Sequence, residues 1–128
     1  MKYCLHWVSL GALLILPACK GGDSDALGMS GKASLSSRYE AAKAITNTAQ
    51  RDQSLSVVAG DAAREGDATV VKKCIQSITA SAAKDDAAFT SAVVLAKAEK
   101  GQEATEVARM ITSTARRDEA LAKIAKGD

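Results

Sequence analysis

The closest things to paired carboxylates in this sequence are Asp85 with Asp86, and Glu103 with Glu106. Acids held close together split their pKa values, which is the arrangement that general acid–base chemistry uses. The first pair, however, falls where a helix is expected to start and the second on a solvated turn, places where acidic side chains serve helix ends. No further acid–base partner accompanies them. The single histidine is His6, and neither His, Trp nor Pro occurs beyond position 17. From there on, a His-activated nucleophile, a His base and a His-containing metal site are excluded. The sequence also lacks GxGxxG, the P-loop, HExxH, GxSxG and CxxC. The expectation is a protein that is not an enzyme and that holds no metal and no cofactor.

The remaining reactive side chains are cysteines, at positions 4, 19 and 74. Residues 1–19 read MKYCLHWVSLGALLILPAC, in which Lys2 is the only charge and an apolar stretch from Val8 to Leu16 leads to small residues beside Cys19. This is a secretory signal layout, and the apolar run is shorter than the roughly 20 residues that a membrane-spanning helix needs. Leu16-Pro17-Ala18-Cys19 resembles the lipobox of bacterial lipoproteins, from which Pro17 departs by replacing the usual small residue. The resemblance implies cleavage before Cys19, diacylation of its thiol and acylation of the new amino terminus. Several acyl chains, at about 0.8 kcal/mol per buried methylene, hold a protein stably where a single chain is marginal. In such lipoproteins an Asp after the Cys marks inner-membrane retention. Here Lys20 follows, so the resemblance implies a bacterial cell-envelope protein anchored in the outer membrane and facing the periplasm. With Cys4 removed and Cys19 lipidated, Cys74 has no partner for an intramolecular disulfide. It lies on an apolar helical stripe with Val70 and Ile78, the setting of a buried and inert thiol.

Residues 20–37 contain four Gly and five Ser, the composition of a flexible tether. Beyond them the sequence repeats. ITNTAQRD (45–52), ITASAAKD (78–85) and ITSTARRD (111–118) are spaced by 33 residues without a gap. The register gives identities in all three copies at Ile45/Ile78/Ile111, Thr46/Thr79/Thr112, Ala49/Ala82/Ala115, Asp52/Asp85/Asp118 and Ala59/Ala92/Ala125. Chance would give of order 0.3 such positions over the window, so the chain is an internal array. The expected organisation is a signal peptide (1–18), a lipidated Cys19 with its tether (19–37), and a helical repeat domain (38–128).

Each unit reads as two helices, because apolar or small residues recur at helical spacing: Ala41, Ile45 and Ala49 in a first helix, and Leu55, Val58 and Ala59 in a second. Ser37 with Glu40 fits a capping box. The pairs Arg51-Asp52, Lys84-Asp85 and Arg117-Asp118 place a cation at one helix end and a capping Asp at the start of the next. Thr46, Thr79 and Thr112 could hydrogen-bond across units, but the expectation ranked first is that each bonds the carbonyl one turn back in its own helix. Gly66-Asp67 reads as a C-cap followed by an N-cap, and Gly101 as a helix stop. The spacing predicts helices over 38–50, 53–65, 68–82, 86–100, 102–115 and 119–126. The fold class is therefore all-α, a short α-α solenoid of about three 33-residue helix-turn-helix repeats.

On these residues the domain resembles the tetratricopeptide-like α-α repeats, through Ile111, Arg117, Asp118, Ala120, Leu121, Ile124 and Ala125 in the third unit, although the Trp, Gly, Tyr and Pro of the tetratricopeptide signature are missing. The resemblance implies a right-handed stack whose first helices line a concave, protein-binding surface. There the polar positions would be Lys43, Asn47 and Gln50, then Gln76, then Arg109, Ser113 and Arg116, a stripe with three cations and no acid that suits an acidic or polar partner segment.

From Cys19 onward 16 Lys and Arg face 15 Asp and Glu, so the basic excess of a nucleic-acid binder is absent. The expected function is a membrane-anchored protein-interaction module, an adaptor, pilot or assembly factor with a protein partner in the envelope. The alternative is a structural lipoprotein that self-associates as a homo-oligomer; a small-ligand carrier or enzyme ranks below both. Cys19→Ala is expected to abolish acyl labelling and to leave uncleaved precursor. Persistent labelling and membrane retention in that variant would contradict the lipobox reading.

Overall fold

The computed structural model describes residues 33–127. The expected signal peptide, Cys19 and most of the expected tether lie outside the described residues. All regular structure among these residues is helical: α1 (Leu35–Lys43), α2 (Thr48–Glu65), α3 (Ala68–Ser77), α4 (Ser81–Lys97), α5 (Gly101–Ala108) and α6 (Thr114–Lys126). No helix among them is long and apolar enough to cross a membrane.

Helix ends follow local chemistry at some places and distant chemistry at others. The first helix starts three residues earlier than the tether composition suggests, because the Ser34 hydroxyl, not that of Ser37, accepts an N–H, that of Ser37 at 3.2 Å. Helix α2 ends as the sequence predicts. Gly66 takes the left-handed conformation at φ 76°, and Asp67 then accepts the N–H groups of Thr69 (3.1 Å) and Val70 (3.0 Å) to open α3. The equivalent turn after α4 departs from expectation. Gly101 is the first residue of α5 and not a stop, and the left-handed position falls on Glu99 at φ 61°, 33 residues after Gly66.

The three interior turns are also displaced. Expected near 51–52, 83–85 and 116–118, they lie at 44–47, 78–80 and 109–113. The Ile-Thr dipeptides therefore belong to turns, and Ala49, Ala82 and Ala115 belong to the second helices α2, α4 and α6. β-Branched pairs are modest helix formers, and no Gly or Pro marks the break. What stabilises it is an acceptor from another helix, described below.

Each helix packs on the next, and alternate helices pack as well: α2 on α4, α4 on α6, α1 on α3 and α3 on α5. The larger contacts run along the second helices. Leu55, Val71, Cys74, Ile75, Leu95, Val107 and Ile111 are fully buried, Val58, Val70 and Ile78 nearly so, and alanines such as Ala59, Ala62, Ala63, Ala88, Ala92 and Ala104 make up about half of the core residues. Small side chains let helix axes approach closely, at the cost of the burial that larger ones would contribute.

The contrast between Gly66 and Glu99 is testable. A left-handed conformation costs a side-chain-bearing residue about 1–2 kcal/mol, while glycine costs about 0.5–1 kcal/mol in unfolded-state entropy. Glu99→Gly is therefore expected to stabilise the domain by roughly 0.5–1 kcal/mol in urea denaturation followed by circular dichroism. An added Cβ at Gly66 meets only an ordinary contact, 3.6 Å to the Lys100 side chain, so the cost of Gly66→Ala is conformational and the variant is expected to destabilise.

Candidate functional site

The polar residues common to all three sequence units, Thr and Asp, meet across helix pairs. Asp52 lies one turn into α2 and is 3% exposed. Its Oδ2 accepts the N–H groups of Thr79 (3.1 Å) and Ala80 (2.9 Å), and its Oδ1 accepts the Thr79 hydroxyl (3.3 Å). Arg51 donates to the same hydroxyl at 2.7 Å. The arrangement recurs with Asp85 in α4, whose carboxylate accepts the N–H groups of Thr112 (2.8 Å) and Ser113 (3.0 Å) and the Thr112 hydroxyl (2.8 Å). Ala80 and Ser113 are the N-cap residues of α4 and α6, and neither makes a side-chain cap bond of its own. The preceding helix pair supplies it.

This corrects two sequence expectations. Asp52 and Asp85 do cap, but they cap the turn of the following unit from inside their own helices. The Thr79 and Thr112 hydroxyls bond across units, not to the carbonyl one turn back, because the buried carboxylate is a stronger acceptor than a carbonyl already used by the helix.

Burial opposes ionisation of Asp52. The N–H groups of Ala80 and Thr79, the Thr79 hydroxyl and the Arg51 cation together outweigh it, so the carboxyl titrates below its ordinary value. Asp85 behaves alike: burial is overcome by Thr112, Ser113 and the nearby Arg116 cation. Both groups are charged at neutral pH and satisfied by donors that have no other acceptor, which is the condition under which a buried charge is tolerated.

The seven residues expected to form a partner-binding stripe are all exposed, but they do not share a helix face. Lys43 ends α1, Asn47 is the N-cap of α2 and accepts the N–H of Gln50 at 3.0 Å, Gln76 lies near the end of α3, Arg109 follows α5, Ser113 caps α6 and Arg116 lies within it. They cluster in sequence around the three interior turns. All three cations have neighbours: Lys43 lies 3.7 Å from Glu40 and 5.3 Å from the Tyr39 ring centre, Arg109 acts on the Glu106 carboxylate, and Arg116 pairs with Asp86 and lies 5.4 Å from the ring centre of Phe89.

Three of the four paired carboxylates are occupied. Glu103 and Glu106 both lie in α5 and not on a connecting turn, with Glu103 in the helix's first turn. Asp85 holds the Thr112 turn while Asp86 pairs with Arg116, and Glu106 accepts from Lys72 at 2.8 Å, a bond that lowers its pKa. Cys74 is buried, and burial pushes its thiol up to about 11, leaving it protonated at neutral pH. Among the described residues no cluster of His, Cys, Asp and Glu could hold a metal ion. A shallow groove of about 500 Å³ runs between α2 and α4, floored by Gly60, Ala83 and Ala87, with the buried Ser91 hydroxyl unpaired among the described residues. It lies on second helices, whereas the tetratricopeptide-like resemblance places the concave surface on first ones. No known protein family, curated protein or solved structure matches the chain.

The two buried carboxylates set an acid sensitivity. The folded state holds both below the unfolded value of about 3.9. Their stabilisation is thus complete above that value and is lost as pH falls through the folded pKa. Asp85→Asn is expected to cost about 1–3 kcal/mol at pH 7, measured by urea denaturation, and the cost should shrink toward low pH. An unchanged midpoint at pH 7 would show that the contact contributes nothing.

Proposed function

We propose that the chain is a membrane-anchored lipoprotein whose domain is a short α-α solenoid of three 33-residue helix-turn-helix repeats, acting as a protein-interaction module in the cell envelope. The observation that carries the repeat stack is the recurrence of one contact: an Asp one turn into a second helix holds the Thr turn 27 residues later, and does so twice. A stack of this kind adds surface unit by unit, which is the property that makes repeat proteins binding scaffolds. The anchor rests on the signal layout and on the resemblance of Leu16-Pro17-Ala18-Cys19 to a lipobox, and Lys20 favours the outer membrane. In this reading the chain performs no catalysis and takes no cofactor: its acids and its thiol serve the fold.

The exposed polar residues around the interior turns, Lys43, Asn47, Gln50, Gln76, Arg109, Ser113 and Arg116, form the proposed contact edge for an acidic or polar segment. Self-association is the second reading, favoured by end surfaces that resemble the buried unit-to-unit contacts. The test is affinity capture by the tagged, lipidated protein from envelope extract, beside an anchored control that lacks residues 38–128. A defined envelope protein should be enriched, and replacing Lys43, Arg109 and Arg116 with Glu should reduce its capture while helicity is retained. Equal recovery by the control would contradict the module. Equal recovery by the triple variant would remove this edge from the account.

A further inference from the structure

Each unit-to-unit contact needs two halves: an Asp acceptor on a second helix, and the N–H groups and hydroxyl of a Thr turn. The sequence holds three of each, and the fold uses two. Asp118, the equivalent of Asp52 and Asp85, is exposed and bonds nothing among the described residues. Thr46, the equivalent of Thr79 and Thr112, is exposed and equally unbonded; Asn47 caps α2 through Gln50 and leaves its own N–H open.

The apolar surface follows the same division. Leu55 and Ala88 are fully buried but their equivalent Leu121 is only half-buried, and Ala59 and Ala92 are fully buried but Ala125 is exposed. At the opposite end, Ile78 and Ile111 are buried where Ile45 is half-buried, and Cys74 and Val107 are buried where Ala41 is exposed. Ala41 and Ile45 line a groove of about 470 Å³ together with Val57, which is 55% exposed. Each end thus presents the surface that an adjoining unit covers elsewhere in the chain.

We propose that a second copy of this chain covers these ends, with Asp118 of one copy accepting the N–H groups of Thr46 and Asn47 and the Thr46 hydroxyl of the next. The proposal rests on the repeat-stack reading given above and extends the stack across molecules. The second copy is the fitting occupant because the missing half at each end is present at the other. Two Asp118 ends would repel, and two Thr46 ends would bring only donors, so the contact is head to tail. The neighbouring positions agree. Glu119 and Gln50 stand where Asp86 and Arg116 form their ion pair, and Arg117 stands where Arg51 donates to Thr79.

The test uses the full-length protein in density-matched detergent. Sedimentation should show oligomers that grow with concentration. Asp118→Lys should return the protein to monomer with its circular dichroism spectrum unchanged and with the melting temperature of wild type diluted to monomer, since Asp118 bonds nothing among the described residues. That variant keeps an intact Thr46 end, so mixed with wild type it should act as a chain stopper and shorten the oligomers. Gln50→Cys and Glu119→Cys proteins should be joined by a short bis-maleimide when mixed, and not when either is alone. Oligomers indifferent to Asp118→Lys, or cross-linking of either variant alone, would overturn the proposal. A monomer at every concentration would overturn it as well. If Asp85→Asn still lowers the melting temperature of that monomer, the repeat stack stands without the association; if it does not, both readings fail.

Discussion

The structure depends on one constraint: the turn amides at Thr79–Ala80 and Thr112–Ser113 lie at helix starts with no acceptor nearby, and a buried carboxylate from the preceding helix pair provides it. In a core that is about half alanine, side-chain burial alone gives each helix little preference among closely related packings. A carboxylate that must be matched to two amides and one hydroxyl is directional. It tolerates only the spacing and rotation that bring α2 onto the turn before α4, and α4 onto the turn before α6. Desolvating a charge is unfavourable, and the arrangement is stable because every donor it meets would otherwise be unpaired.

This explains where the sequence was legible. Helical content, the Gly66-Asp67 boundary, the buried Cys74 and the second helices were all readable, because each has a local signature in periodicity or capping chemistry. The interior turns were not, since their acceptors lie 27 residues away. Read locally, Arg51-Asp52 resembles a helix junction; in the fold Asp52 is inside α2 and the junction it serves is the next one. A signal was nevertheless present. Of the five identities shared by all three units only Thr and Asp are polar, and two invariant polar residues in an apolar array are candidates to be each other's partners. Glu99 was hidden for the opposite reason: nothing in its side chain announces a left-handed backbone, and only the 33-residue equivalence with Gly66 points to it.

The same logic separates the candidate site from the fold. Residues that looked chemically active, Asp85, Asp86, Glu106 and the thiol, are engaged in capping, ion pairing or burial. Gln76, Arg109, Ser113 and Arg116 collect around the two turns that Asp52 and Asp85 hold, so that part of the proposed contact edge inherits its geometry from the buried Asp–Thr bonds, whereas Lys43, Asn47 and Gln50 surround a turn capped by Asn47 itself.

The most direct measurement of the central claim is backbone amide hydrogen exchange, resolved by residue, at a concentration where the protein is monomeric. All six residues of interest, Thr46, Asn47, Thr79, Ala80, Thr112 and Ser113, are exposed and sit in equivalent turns, so exposure alone assigns them similar rates. The account predicts strong protection at Thr79, Ala80, Thr112 and Ser113, whose amides bond Asp52 or Asp85, and fast exchange at Thr46 and Asn47. Equal exchange at all six would contradict it.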